Sequence, residues 1–279
     1  MCGIFGVTIS NNSEYEPSFV KKLIWTLGRL SESRGKDSSG LVLRNEAIKE
    51  YQVFKGAVPL NYLFKNQAII DEMDKLLRTA CSSQTKSNRG NIAILGHSRL
   101  VTNGTQLAHV NNQPVIKDGI IGIHNGIIVN DSELWDQHDD LKREYEIDTE
   151  VMLSLIRKYV NRHGKLAKAV SMTIKEIFGT VATAFFADDM NSLTLATNNG
   201  SLYVLTSKHG LFAFASESYF LKQMVKIMRL DKNNDIEMRQ VVPGSGIILD
   251  LDHFQWQQFY FDDYASASSS SSAAAVKIP

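Results

Sequence analysis

Residues Thr180–Ser216 read TVATAFFADDMNSLTLATNNGSLYVLTSKHGLFAFAS. Four short runs inside this stretch, TVATAFFA, SLTLAT, SLYVLTS and LFAFAS, are apolar, β-branched and aromatic, the composition that fits a pleated, half-buried surface. Asn198-Asn199-Gly200 and Lys208-His209-Gly210 punctuate them, and such turn residues join antiparallel neighbours. The second half of the chain is therefore expected to hold an antiparallel meander.

Working outward, Glu217 to Met228 reads as a helix, with GIILDLD and FQWQQFY as closing strands. On the other side, helices are expected over Thr149–Arg162 and from about Lys165 to Ile177. Asp148 is placed to cap the first of these, and Asp131 to cap a short helix before it. Nearer the start, CGIFGVTIS is apolar and bounded by Asn11-Asn12-Ser13, the mark of a buried strand. Phe19, Leu23, Leu27 and Leu30 recur at helical spacing after Pro17, and a second helix is expected from Leu63 to Arg78. GLVLR and IKEYQVF read as strands, as do NIAILGH and IIGIH, each of the last two running into a polar loop. Strands and helices come in blocks, which favours an α+β class with antiparallel sheets over a doubly wound parallel sheet.

Composition narrows the function classes. The 279 residues are 43% hydrophobic and 22% charged, with Lys+Arg and Asp+Glu both 30. A net charge of zero leaves no basic field for nucleic acid or an anionic membrane. No apolar run is long enough to span a bilayer, and the start lacks the basic and apolar regions of a signal peptide. The two cysteines, Cys2 and Cys81, form no C-x-x-C pair, so neither a disulfide framework nor a zinc site is expected. A cytoplasmic protein is the expectation. Residues 2–264 read as one domain, and ASASSSSSAAAVKIP over 265–279 as a flexible tail or linker.

The first residue with chemistry is Cys2. Removal of Met1 would leave it a free α-amine, so one residue would supply a nucleophile and a nearby weak base. Taken alone, Cys2 reads first as a small buried residue opening a strand. Five motifs in order change that balance: MCGIFG at the start, RGKDSSG at Arg34–Gly40, GHSRLVTNG at Gly96–Gly104, HNGIIVN at His124–Asn130 and DTEV at Asp148–Val151. Together they resemble the class II glutamine amidotransferase domain, an N-terminal-nucleophile hydrolase, and are nearest the glutaminase half of the isomerising glucosamine-6-phosphate synthase. The likeness runs from Cys2 to about Asp250.

That resemblance implies a four-layer αββα sandwich of two facing antiparallel sheets. It implies hydrolysis of L-glutamine to glutamate and ammonia through a thioester on Cys2, without a metal or organic cofactor. Asn125 (side chain) and Gly126 (backbone) are implied as the oxyanion hole, which must place donors where charge develops. Arg99 is implied to take the substrate carboxylate, as its forked guanidinium suits, Asp148 the ammonium, and Thr102 a polar contact. Arg34 is implied to support Cys2. Read without the family, Asn125-Gly126 is an ordinary hairpin turn, Arg99 one half of a surface ion pair and Asp148 a helix cap. His97 and His124 would be the imidazoles of a Cys–His pair if one existed; the family makes them supporting residues. Cys81 is taken as an incidental thiol, and Gly35 and Gly40 as turn glycines.

Leu100 stands where the synthase has tryptophan, and Asn103 where it has histidine. No acceptor-domain segment follows Asp250, so a separate ammonia-accepting synthetase or transferase is the expected partner. Two other readings stay open at this level: a hydrolase of another γ-glutamyl or small amide, and a non-catalytic regulatory subunit with the same fold.

Overall fold

The computed structural model describes residues 2–45, 50–81, 90–100, 108–230 and 235–261. In chain order the first half runs β1 (Gly3–Ile9), α1 (Pro17–Ser31), β2 (Ser38–Asn45), β3 (Glu50–Gly56), α2 (Leu60–Leu63), α3 (Gln67–Cys81), β4 (Ile92–Arg99), β5 (Val115–Lys117) and β6 (Ile120–Ile128). The second runs α4 (Asp131–Gln137), α5 (Thr149–His163), α6 (Leu166–Glu176), β7 (Gly179–Ala187), β8 (Met190–Thr197), β9 (Tyr203–Ser207), β10 (Leu211–Ala215), α7 (Ser218–Met228), β11 (Ile236–Gln240), β12 (Ser245–Asp250) and β13 (Gln255–Tyr260).

Among the described residues every strand pairing is antiparallel. One sheet has the order β11-β9-β10-β1-β4-β2-β3, the other β13-β12-β8-β7-β6-β5. Three apolar clusters define the layers. Val20, Leu23 and Leu27 of α1, Met73 of α3 and Met224 of α7 pack on Phe5, Val7 and Ile9 of β1. Ile4, Val42 and Leu95 of the first sheet meet Ile123, Phe186 and Leu195 of the second. Val151, Leu155 and Ile156 of α5, with Val170 of α6, cover Val115, Ile120 and Phe185. The result is helices, sheet, sheet, helices, the αββα sandwich expected. It also explains why β1 and β4 are buried at every position. Each sheet has an apolar layer on both faces, so these strands read as continuous hydrophobic runs rather than alternating ones.

Four local expectations are corrected. Thr180–Ser216 is not one meander: β7–β8 is a hairpin of the six-stranded sheet and β9–β10 of the seven-stranded one. Thr197 Oγ1 accepts the backbone N–H groups of Asn199 and Gly200, so Asn198–Gly200 turns the chain out of one sheet and into the other. The helix expected over Leu63–Arg78 is two, because α2 ends at Leu63 and Asn66 Oδ1 accepts Ala68 N–H at 3.0 Å at the start of α3. Asp131 is the first residue of α4 rather than its cap, which is Asn130. Asp148 does occupy the N-cap position of α5, but its side chain makes no capping bond. Residues 265–279 lie outside those described.

Candidate active site

Cys2 precedes β1, and Gly3 pairs with Ser98 of β4. That register sets Cys2 beside Arg99 and Leu100 at the end of β4. The Cys2 thiol is buried and faces the Leu100 carbonyl, with Sγ 3.7 Å from the oxygen. Burial pushes the thiol pKa up; the Leu100 contact, the chain's positive terminus and Arg99 pull it down, while the charge of Asp148 adds to the rise. Arg99 is buried, and desolvation lowers its pKa against the opposing pull of Cys2, Asp148 and Asp37. Cys2, Arg99 and Asp148 therefore lie within electrostatic reach of one another.

The Arg99 guanidinium is oriented from behind. Nη1 donates to Asn111 O at 2.9 Å and to Asn112 Oδ1 at 3.3 Å. Gly35 packs on the backbone of the same residue: a Cβ there would stand 2.3 Å from both Arg99 C and Leu100 N. Gly35 has an extended φ of −175°, so its role is close packing of backbones rather than the turn expected of it. Gly40 corrects in the same way. It lies inside β2, with the Gln113 carbonyl 2.3 Å from where its Cβ would be. Arg34 closes a short 3₁₀ turn, Glu32–Arg34, that packs on the start of β1, where a Cβ on Gly3 would meet Arg34 Cβ at 3.2 Å. Its guanidinium pairs with Glu217 at 2.7 Å.

Asn125 and Gly126 are not a hairpin turn. Both lie within β6, paired with Ala182 and Val181 of β7. Gly126 must be glycine, since a Cβ would come 1.8 Å from Thr180 O. Asn125 is buried, and its Oδ1 has no hydrogen-bond partner among the described residues. A buried amide oxygen left unpaired costs free energy and calls for an explanation in function. Across the sandwich, His97 Nε2 on β4 lies 3.3 Å from the His124 carbonyl on β6. That contact places Asn125 at the same end of the facing sheets as Arg99.

Neither histidine is disposed as a catalytic base. His97 is fully buried, and desolvation first, then the Arg99 charge, lowers its pKa to about 3. The His124 ring is engaged by Thr180 O at Nε2 and by the Thr149 hydroxyl at Nδ1. Thr102 and the Met1 side of the cysteine lie outside the described residues, as does the side chain of Cys81.

Several supporting residues escaped the sequence reading. Gln113 acts as a surrogate strand: its Nε2 donates to His124 O at 3.0 Å and its Oε1 accepts His124 N–H at 2.5 Å. Glu150 is fully buried, accepts the Glu144 and Tyr145 N–H groups at 2.8 Å each, and pairs with Lys117 at 3.2 Å. It thereby holds the loop leading into Asp148. Single polar residues of this kind carry no spacing signal; only the glutamate inside DTEV was within reach of a motif argument. Among the described residues, no cluster of three or more His, Cys, Asp or Glu is placed to hold a metal, and no helix is long and apolar enough to cross a membrane.

Residues 97–223 match the model of the glutamine amidotransferase domain family. The glutamine–fructose-6-phosphate aminotransferase (isomerizing) of Rhizobium meliloti is 26% identical across 93% of this chain and 42% of its own length. Its counterpart from Thermococcus kodakarensis is 29% identical across 83% of this chain and 35% of its own. The 7-cyano-7-deazaguanine synthase 2 of Sulfurisphaera tokodaii is 27% identical across 86% of this chain and 50% of its own. The chain thus spans half or less of these relatives. In fold it resembles the glutamine phosphoribosylpyrophosphate amidotransferase of B. subtilis, with a TM-score of 0.63 at 19% identity, over 94% of this chain and 49% of that one. Over residues 97–223 the chain is thus similar to the glutamine amidotransferase domain family, and its sandwich is the fold of the amidotransferase it resembles.

Proposed function

We propose that the chain hydrolyses L-glutamine to glutamate and ammonia, with Cys2 as nucleophile and, once Met1 is removed, its own α-amine as proton carrier. The observation that carries this reading is the register that sets the Cys2 thiol against the end of β4 beside the buried Arg99, with the Asp148 carboxylate bonded to the strand that holds Asn125. A free amino acid carries both a carboxylate and an ammonium. A buried guanidinium and a carboxylate beside a thiol are the matching pair, whereas a substrate lacking either α-group would leave one of them unpaired.

In this reading the sulfur attacks the side-chain amide carbon, forming the C–S bond and an oxyanion. The Asn125 amide and the Gly126 N–H stabilise that charge, each such donor contributing about 3–4 kcal/mol to the barrier. Collapse breaks the C–N bond, and the α-ammonium of Cys2 gives its proton to the departing ammonia. Water, deprotonated by the same amine, then attacks the thioester and breaks the C–S bond to release glutamate. Arg99 holds the substrate carboxylate, Asp148 its ammonium, Thr102 adds a polar contact and Arg34 keeps the start of β1 in place. The ammonia passes to a synthetase or transferase unit. In support, the relatives named as aminotransferases and a synthase have long stretches that this chain does not match.

The test is intact-mass analysis of protein with its native start, before and after a diazoketone analogue of glutamine. Loss of Met1 and one adduct mapped to Cys2, absent from Cys2→Ala, is the expected result. An unlabelled Cys2, or a retained Met1, would overturn the assignment.

A further inference from the structure

Lys55, near the end of β3, has its ammonium surrounded by carbonyl oxygens. Nζ donates to Asn112 O at 2.9 Å, to Pro114 O at 3.1 Å and to Val110 O at 3.5 Å. Among the described residues no carboxylate pairs with it. Burial lowers its pKa to about 8, as desolvation does to a cation without a counter-ion. A methionine of similar length would avoid that cost. The cation is retained where its three donors meet three backbone oxygens of one segment.

That segment, Val110–Pro114, is the backing of the candidate site. Its Asn111 carbonyl and Asn112 side chain receive Arg99 Nη1. Its Gln113 side chain brackets the backbone of His124, the neighbour of Asn125. Asn111 is tied twice to Glu146, Nδ2 to Oε2 at 2.9 Å and Oδ1 to the Glu146 N–H at 3.1 Å, two residues before Asp148. On the other side the Gln113–Pro114 unit presses on Gly40 of β2, the strand neighbour of Lys55. His109 closes the arrangement, with Nε2 3.0 Å from the Lys55 carbonyl.

We propose that Lys55 is a positioning residue for the substrate clamp: its ammonium fixes the Val110–Pro114 backbone, and that backbone orients the Arg99 guanidinium toward the glutamine carboxylate. Lys55 touches neither the substrate nor Cys2; it acts through Asn111 and Asn112. The inference rests on the reading of Arg99 given above. Carboxylate binding is shared by ground state and transition state, so its loss raises KM and leaves kcat nearly unchanged.

The experiment measures ammonia release against glutamine concentration for the full chain, Lys55→Met and Lys55→Arg, with thermal unfolding followed in parallel. Lys55→Met should raise KM by about tenfold or more while kcat stays within about threefold. Lys55→Arg, which keeps a cation with several N–H donors, should hold KM within about threefold of the parent. If Lys55→Met does not fold, Lys55→Gln is read in its place. An unchanged KM in the folded variant, or a fall in kcat alone, overturns the proposal. A parent chain that releases no ammonia and is not labelled at Cys2 overturns the functional reading, and this inference with it. An active parent with an indifferent Lys55 overturns this inference alone.

Discussion

The Asp148 carboxylate accepts the backbone N–H of Ile128 through Oδ2 at 2.9 Å, tying the entrance of α5 to the strand that carries Asn125 and Gly126. An aspartate at that position ordinarily turns back to cap its own helix. Here the carboxylate is committed to β6, with the Thr149 hydroxyl 3.4 Å from Oδ1. A carboxylate has about four lone-pair sites, so acceptor capacity is left for a substrate ammonium. The proposed ammonium clamp and the proposed oxyanion strand thus share one rigid connection.

Asp148→Asn keeps an oxygen for the Ile128 N–H and removes only the charge. The expected loss is about 1.5–3 kcal/mol of glutamine binding, roughly ten- to a hundredfold in kcat/KM, the range for hydrogen bonds to charged groups. Steady-state ammonia release measures it. Equal kinetics in the two proteins would place the substrate ammonium elsewhere.

Asn125→Ala removes an amide whose oxygen has no other partner among the described residues, so the fold should tolerate it. kcat is expected to fall about a hundred- to a thousandfold, with KM little changed, as for loss of one oxyanion donor. A wild-type rate would exclude Asn125 from the chemistry.

Gly35→Ala introduces a methyl group 2.3 Å from Leu100 N, against the residue whose carbonyl faces Cys2 Sγ. Overpacking of this kind costs about 1–3 kcal/mol. A lower denaturant midpoint and slower labelling of Cys2 are expected together. A normal midpoint would mean that the backbones separate without cost.

His97 makes the fold acid-sensitive. Its pKa is about 3 in the folded chain against an ordinary 6.5. Between those values the unfolded chain binds a proton that the native state does not. Stability is therefore lost as pH falls from 6.5 toward 3, with a slope of up to about 1.4 kcal/mol per pH unit from this group. His97→Gln removes the proton, so urea midpoints measured from pH 7 to pH 4 should fall less steeply. Parallel curves for the two proteins would show that His97 accepts a proton without unfolding.

The blocks of strands and helices were legible because burial is periodic in α1, where Leu23 and Leu27 face an apolar layer, and continuous along the apolar runs of β7 and β10. The sheet to which each hairpin belongs was not legible. Asn198-Asn199-Gly200 has the composition of a tight turn, and what redirects it is the Thr197 hydroxyl. The same holds for the site. Cys2, Arg99, Asn125, Gly126 and Asp148 stand in recognisable strings, whereas Gln113, Glu150 and Lys55 act through single contacts to distant backbone.

By itself, the sequence determined the α+β class, the antiparallel pairing and the order of five motifs, since these follow from local propensity and from residue types adjacent along the chain; the two facing sheets were implied by the resemblance those motifs carry. The tertiary structure alone decided that Asn125-Gly126 is strand rather than turn, that Gly35 and Gly40 serve close packing, and that Asp148 bonds β6 instead of capping α5. In each case the deciding partner, Thr180 O, Leu100 N, Gln113 O or Ile128 N, is distant in sequence. Propensities describe what a segment does with its neighbours in the chain; close approach of two backbones exists only once the sheets have packed.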